Sequence, residues 1–169
     1  GDGKDNMAGG IGNDIYYVDS YEDVVIEDTD GGTDTMFACV TIEIFDNVER
    51  LILTGSEDIN ATGGAGNNYL TGNAGKNVVT AGDGNDVIDG QAGDDTLNGG
   101  NGDDLLAGDA YRQMGNDELY GGDGNDILVG VDGNDILDDG NGNDELDGVE
   151  GVDQYHFDGA FGRDTIGAD

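Results

Sequence analysis

The sequence from Ala81 to Asp153 reads AGDGNDVID GQAGDDTLN GGNGDDLLA GDA, then an interruption YRQM, then GNDELY GGDGNDILV GVDGNDILD DGNGNDELD GVEGVD. A nine-residue period runs through this stretch, with glycine fourth, aspartate sixth and an apolar or aromatic residue eighth in each unit. The fourth-position glycines are Gly84, Gly93, Gly102, Gly115, Gly124, Gly133, Gly142 and Gly151. The sixth-position aspartates are Asp86, Asp95, Asp104, Asp117, Asp126, Asp135, Asp144 and Asp153. The eighth-position residues are Ile88, Leu97, Leu106, Leu119, Leu128, Leu137, Leu146 and Tyr155.

This period predicts a stacked coil. The residues around the eighth position form a short strand with one side chain pointing inward, and the glycines before it permit a turn. Two units then make one coil, and units eighteen residues apart become parallel neighbours. The predicted neighbouring pairs are Asp86 with Asp104, Asp95 with Asp117, Asp104 with Asp126, Asp117 with Asp135, Asp126 with Asp144, and Asp135 with Asp153.

Stacked carboxylates require a counter-charge. Strands lie about 4.8 Å apart, and two like charges at about 5 Å repel by roughly 3 kcal/mol at an effective dielectric constant of 20. A hard divalent cation between each pair reverses the sign of the interaction, and an all-oxygen shell suits Ca²⁺ better than zinc. Turn carbonyls are expected to complete the shell near Gly82, Gly84, Gly93, Gly100, Gly102, Gly122, Gly124, Gly133 and Gly142. Roughly six to eight calcium ions are predicted in all.

Repeat units also occur outside this stretch. Residues 1–17 hold two units, with Asp5 and Asp14 in the sixth position, and both are predicted metal ligands. Residues 63–80 hold two more, but their sixth residues are Asn68 and Asn77. Because asparagine is a neutral oxygen ligand, calcium is expected to bind weakly there, or through one aspartate of the next coil.

The units resemble the RTX (repeats-in-toxin) nonapeptide GGxGxDxUx, a calcium-binding repeat. The resemblance implies an all-β fold, a right-handed parallel β-roll or β-solenoid with calcium ions between successive turns. It also implies a bacterial protein exported unfolded by type I secretion, and hence a secreted, extracellular or cell-surface location. A disordered acidic linker is the alternative, and disorder is the expectation without calcium.

Composition agrees with a metal-dependent fold. The chain of 169 residues has 34 glycines, no proline, and a formal net charge of −34. A highly charged chain with modest apolar content folds poorly unaided, and metal binding can supply the missing stability. The charge excludes nucleic acid, anionic polysaccharide or lipid as direct electrostatic partners. No apolar run is long enough to span a bilayer. The single Cys39 cannot form an internal disulfide and is expected to be a small buried residue.

A single solenoid domain is expected over residues 1–169, and it divides into four segments. Residues 1–19 are a first short repeat block, and 20–61 are a non-repeat β spacer that continues the solenoid, with a separate β-subdomain as the alternative. Residues 62–156 are the main block, with a bulge near 109–114, and 157–169 are a closing edge. Three runs in the spacer predict strands: 23–27, 35–44 and 48–54. Both termini fall within the pattern, which favours a fragment of a longer protein.

The RTX resemblance, together with the stacked carboxylates, implies a module that folds on calcium outside the cell, assists type I secretion and stabilises its parent protein. The alternative is a structural or ligand-binding arm of a bacterial adhesin or surface-layer protein. No catalytic motif is present, so no enzymatic activity is expected of this chain, although its parent could be a protease, lipase or epimerase. Somewhat apolar seventh positions permit self-association through a sheet face.

Overall fold

The computed structural model describes residues 3–29, 31–110, 113–157 and 162–167. Within these ranges the chain forms short strands and turns, and no helix. The strands are β1 (Asn6–Ala8), β2 (Ile15–Val18), β3 (Val24–Ile26), β4 (Thr35–Ala38), β5 (Ile42–Glu43), β6 (Arg50–Leu53), β7 (Ala61–Thr62), β8 (Tyr69–Thr71), β9 (Val78–Asp83), β10 (Val87–Gln91), β11 (Thr96–Asn101), β12 (Leu105–Asp109), β13 (Glu118–Asp123), β14 (Ile127–Gly133), β15 (Ile136–Asn141), β16 (Glu145–Gly151), β17 (Gln154–His156) and β18 (Thr165–Ile166). No helix in this part of the chain is long and apolar enough to cross a membrane.

The strands stack into a parallel β-solenoid. A nine-stranded sheet has the order β18-β16-β14-β12-β10-β8-β6-β4-β2, and a seven-stranded sheet has the order β17-β15-β13-β11-β9-β7-β5. Successive strands alternate between these two sheets from β4 to β18, so each coil contributes one strand to either sheet. A separate two-stranded sheet joins β1 to β3, also in parallel. The predicted all-β solenoid is confirmed.

The core is one column of apolar side chains between the two sheets. The eighth-position residues face each other in register, as in Val79↔Leu97 and Leu97↔Leu119 in one sheet and Ile88↔Leu106 in the other. Leu97, Leu106, Leu119, Leu128, Leu137 and Leu146 are all 0% exposed. Burial of each such side chain stabilises the fold by about 1.5–3 kcal/mol, but one inward side chain per unit makes a thin core.

The stack runs through the interruption without losing register. Leu106 of β12, which precedes the interruption, pairs with Leu128 of β14, which follows it and lies 22 residues further along the chain. The extra residues therefore add length at a turn, and the strands on either side stay aligned. Tyr111 and Arg112, which belong to the predicted bulge at 109–114, lie outside the described residues.

Residues 20–61 contribute strands to the same stack. The strands β4 and β6 lie in the nine-stranded sheet between β2 and β8. Their inward side chains, which include Met36, Leu51 and Leu53, are buried in the common core. The core is bulkier here because two side chains of β4 and two of β6 point inward.

Two local expectations in this region are wrong. The predicted continuous strand over residues 35–44 is two strands, because β4 ends at Ala38 and the chain bends before β5 begins at Ile42. Cys39 is exposed, so the expectation that it is a small buried residue is wrong. It follows the buried Ala38 and continues the alternation of β4, which places it on the outer side.

Candidate metal centres

The sixth-position side chains line two seams of the solenoid, where the turns of successive coils meet. The first carboxylate row precedes the strands of the nine-stranded sheet and runs Asp14, Asp34, Glu49, Asn68, Asp86, Asp104, Asp126, Asp144 and Asp164. The second carboxylate row precedes the strands of the seven-stranded sheet and runs Asn77, Asp95, Asp117, Asp135 and Asp153. Parallel stacking with constant register creates both rows, because each coil repeats the position of the one before.

A ladder of hydrogen bonds holds each row together. The backbone N–H of Asp86 donates to Oδ1 of Asp104 over 2.7 Å, and the N–H of Asp95 donates to Oδ1 of Asp117 over 2.8 Å. The same bond recurs along both rows: Asp104 to Asp126, Asp126 to Asp144, Asp144 to Asp164, Asp117 to Asp135, and Asp135 to Asp153. All six pairs expected from the nine-residue period are neighbours in the structure.

The other carboxylate oxygen of most of these aspartates is buried without a partner. The Oδ2 atoms that have no hydrogen-bond partner belong to Asp14, Asp34, Asp86, Asp95, Asp104, Asp117, Asp126, Asp135 and Asp144. A buried polar atom left unpaired costs about 1–3 kcal/mol, and more for a charged group. One such atom in each nine-residue unit from Asp86 to Asp144 therefore fits a cation at the seam.

Burial raises the pKa of these carboxyl groups. The pKa of Asp117 rises to about 8, chiefly because burial removes water from the charged form, and nearby Asp109, Asp95 and Asp135 add repulsion. Loss of water likewise raises the pKa of Asp95 to about 7 and that of Asp126 to about 7. The pKa of Asp104 rises to about 6, and the pKa values of Asp86, Asp135 and Asp144 are also raised, each mainly by burial. A cation at the seam would remove this penalty.

Glycines allow backbone oxygens to crowd the same seams. A Cβ atom on Gly99, the first residue of its unit, would overlap Oδ2 of Asp104. A Cβ atom on Gly100, which has φ +111°, would overlap the carbonyl oxygen of Gly82 in the preceding coil. Carboxylate and carbonyl oxygens are the donors that hard cations prefer, so the residues present fit calcium.

The rows change character near residues 60–80. Asn77 is fully buried, and its side-chain nitrogen donates to the carbonyl of Ile59 over 2.6 Å and to Oδ1 of Asn73 over 3.0 Å. Its own Oδ1 accepts the N–H of Asn73 over 2.8 Å. Oδ1 of Asn68 similarly accepts the N–H of Gly64. The amides therefore bind neighbouring backbone groups directly at the positions where aspartates stand in later coils.

The N-terminal predicted ligands lie in two different places. Asp14 begins the first row, and its N–H donates to Oδ1 of Asp34 over 2.7 Å. Asp5 lies beside Asp23 in the small sheet of β1 and β3, and its N–H donates to Oδ1 of Asp23 over 2.9 Å. The two-unit block is thus divided between two sheets.

Sequence reasoning missed several acidic residues that the structure places in the rows. Asp34 and Asp164 follow their neighbours by 20 residues, not 18, so a fixed period passes over them. A signal was present in both, because GGTDTM and GRDTI keep the glycine, aspartate and apolar spacing. Two groups bring three carboxylates within 4.8 Å of one another: Asp14, Glu27 and Asp34, and Asp139, Asp144 and Asp164.

A parallel β-solenoid whose seams hold stacked, buried carboxylates is a metal-binding repeat protein. A family model, the RTX calcium-binding nonapeptide repeat (4 copies), matches residues 1–19, 60–88, 80–110, 115–137, 120–155 and 129–166. The chain therefore belongs to the family of RTX calcium-binding nonapeptide repeat proteins, and its repeats bind calcium. Neither the curated proteins nor the solved structures gave a significant match to the chain.

Proposed function

We propose that this chain is a calcium-triggered folding module that acts outside the cell, where it assists type I secretion and stabilises the protein of which it is part. The observation that carries the proposal is the buried Oδ2 atom without a partner, which recurs at every sixth-position aspartate from Asp86 to Asp144. Because these charged atoms are buried without a partner, the folded state depends on a cation, and the calcium concentration of the solution then controls folding.

The ligands in this proposal are the paired sixth-position aspartates and the turn carbonyls beside them. Oδ1 of each aspartate is engaged by the N–H of the previous coil, which fixes the carboxyl group and leaves Oδ2 to face the seam. Bound calcium would supply positive charge between successive turns. Roughly six to eight ions fit the paired positions.

The switch follows from charge and concentration. With a formal net charge of −34 and a thin core, the chain without calcium must either protonate or separate its buried carboxylates. Extracellular sites bind calcium with dissociation constants of about 10⁻⁴–10⁻³ M, far above cytosolic calcium concentrations. The chain would stay unfolded before export and fold on emergence, and folding outside would oppose backward movement through the export channel.

We assign no catalytic step to this chain. Buried carboxylates recur in every coil from Asp86 to Asp144, which is the arrangement of a structural metal ladder and differs from a single reactive pair. Any enzymatic activity would belong to other parts of the parent protein.

Self-association through the nine-stranded sheet is a further element of the proposal. Its outer face exposes seventh-position side chains, including Tyr69, Leu105 and Ile127, each at least 40% exposed. Sedimentation velocity at saturating calcium would detect a dimer. Replacement of Leu105 and Ile127 with threonine should shift the protein to the monomer.

The decisive experiment is far-ultraviolet circular dichroism during a calcium titration, with magnesium as the control. We expect a cooperative change from coil to β-structure at about 10⁻⁴–10⁻³ M calcium and none with magnesium, which prefers rigid octahedral sites. A spectrum already rich in β-structure in chelator at neutral pH, and unchanged by calcium, would show that the module is a constitutive scaffold.

A further inference from the structure

The two ends of the first carboxylate row differ from its interior by one extra carboxylate each. In the interior, the first residue of the unit is Ala81, Gly99 or Gly121, none of which offers a side-chain oxygen. Near each end an acidic residue precedes the aspartate: Asp139, the first residue of its unit, lies five residues before Asp144, and Glu27 lies seven residues before Asp34. Each acidic residue joins two sixth-position aspartates to make a group of three.

At the N-terminal end, Glu27 is built into the group. One oxygen of each of Asp14, Glu27 and Asp34 lies within 4.8 Å of the other two. The hydroxyl of Tyr16 donates to Oε1 of Glu27, and the N–H of Asp28 donates to Oε2 over 3.1 Å, so the glutamate is held in place. These bonds fix the third carboxylate beside the two aspartates.

A second observation at this end points to a ligand. Asp34 is 0% exposed, and its Oδ2 is buried without a hydrogen-bond partner. Oδ2 of Asp14 is in the same state. Glu27 and Asp34 lie outside the segments matched by the family model, so the repeat family does not assign this group.

At the C-terminal end, Asp139 provides the third carboxylate. Its carboxylate lies within 4.8 Å of those of Asp144 and Asp164. Asp144 is 2% exposed, and its Oδ2 is likewise buried without a partner. Asp164 closes the row by accepting the N–H of Asp144 on Oδ1 over 3.3 Å.

We propose that Glu27 and Asp139 make the two ends of the first row into three-carboxylate calcium sites that bind more tightly than the two-carboxylate sites between them. The proposal rests on the proposed function, because it ranks sites within the same calcium-binding row. Ligand charge count tunes calcium affinity in protein sites, and a third fixed carboxylate adds one negative charge without a turn having to rearrange. The end sites hold their ions after the interior sites have emptied.

The test counts calcium retained by the whole chain. The protein is loaded with radiolabelled calcium at about 10 mM, then equilibrated by dialysis against a series of calcium buffers, and bound ions per chain are counted at each step. We expect two ions to remain bound at free calcium about tenfold below the concentration that empties the rest. The variants Glu27→Gln and Asp139→Gly should each remove one of these two ions, and the double variant both.

The variants remove the charge at the cost of one local hydrogen bond each, from the N–H of Asp28 in Glu27→Gln and from the N–H of Gly140 in Asp139→Gly. Glutamine keeps an oxygen for the hydroxyl of Tyr16, and glycine is the residue that other units carry at the position of Asp139. Glu22→Gln and Glu145→Gln are matched controls, because both residues are exposed and each removes the same charge near one end. Circular dichroism at about 10 mM calcium verifies that every variant folds.

The outcomes separate this inference from the proposed function. Binding of several ions by the wild type that all leave in one step would overturn the end sites alone. Two retained ions that persist in the double variant would also overturn them. A wild-type chain that binds no calcium at about 10 mM would instead refute the calcium module itself.

Discussion

In residues 81–153 the seam between turns holds aspartates whose Oδ2 atoms are buried without a partner, whereas in residues 35–80 no buried side-chain oxygen or nitrogen is left unpaired. The difference lies in the sixth position. Asn77 donates its side-chain N–H groups to Ile59 and Asn73, and Asn73 donates to Thr54 and Glu57. Asparagine carries its own donors to the carbonyl-rich seam, while aspartate has none and needs a cation. If the chain folds on calcium as proposed, one backbone geometry supports a region that depends on the ion and a region that does not.

Chelation of calcium should give the largest effect, because it removes the counter-charge from every aspartate pair at once. Amide hydrogen exchange measured by mass spectrometry, with and without chelator at neutral pH, should show protection lost across β10–β16. Protection across β4–β8 should fall by a much smaller factor, because amide hydrogen bonds and the larger core of Met36, Leu51 and Leu53 remain. Equal loss in both regions would mean that the asparagine seam has no independent stability.

Acid should restore much of what chelation removes. The folded-state pKa values of Asp104, Asp95 and Asp117 are about 6, about 7 and about 8, above the ordinary value of 3.8. For a raised pKa, the stabilisation is complete below the unfolded value and is lost as pH rises through the folded value. Without calcium, β-content measured by circular dichroism should therefore rise as pH is lowered from about 8 towards 4. A chain that unfolds further on acidification would contradict these burial-raised values.

The substitution Asp117→Asn should lower stability with calcium bound and leave it unchanged in chelator at acidic pH. With saturating calcium, loss of a carboxylate ligand should reduce the free energy of unfolding by about 1–3 kcal/mol, measured by urea denaturation. In chelator at about pH 5, where Asp117 is protonated, the reduction should disappear. Glu145→Gln, which removes an exposed charge in the same block, should change neither value measurably. An equal loss in both states would indicate a packing defect.

The reciprocal substitution Asn77→Asp should make a metal-dependent seam from a metal-independent one. It removes the donor bonded to Ile59 at 2.6 Å and places a carboxylate one coil from Asp95. Stability in chelator at about pH 6 should fall by about 1–3 kcal/mol, and calcium should recover part of it. Asn98→Asp adds the same charge at an exposed strand position and should leave stability nearly unchanged. Calcium-insensitive destabilisation by Asn77→Asp would show that the seam cannot accept an ion there.

The regular part of the fold was predictable because one period governs it. The column of Leu97, Leu119 and Leu137 fixes the strand register. A spacing of 18 residues, or 22 across the interruption, then places each aspartate pair between Asp86 and Asp153. The period is still recognisable after the interruption, because the glycine, aspartate and apolar positions recur in the units that follow it. Each nine-residue unit contains both its strand and its turn, so the short motif is enough to predict which residues of neighbouring coils meet.

The end sites were not predictable from the same columns. Asp139 occupies a first position whose usual residue is glycine, and Glu27 lies seven residues before Asp34, outside the repeat columns. The repeat motif marks neither residue as a ligand. Asp34 and Asp164 sit in coils of 20 residues, where the fixed spacing fails. The outward Cys39 was missed because its apolar surroundings suggested burial, although the alternation of Met36 and Ala38 places it on the outer side. These features depend on turn geometry, which the apolar pattern does not encode.

The 18-residue coil makes the length of the molecule adjustable in single genetic steps. In-frame removal of residues 87–104 would join Asp86 directly to Leu105, and Asp86 would then occupy the position of Asp104, with its N–H facing Asp126. Each coil contacts chiefly its two neighbours, so such a change shortens the rod by one strand spacing, about 4.8 Å, and subtracts one coil from the total stability. Duplication of the same segment would do the reverse. The number of coils therefore sets the length of the protein, and evolution can add or remove a coil while the contacts between the remaining coils stay the same.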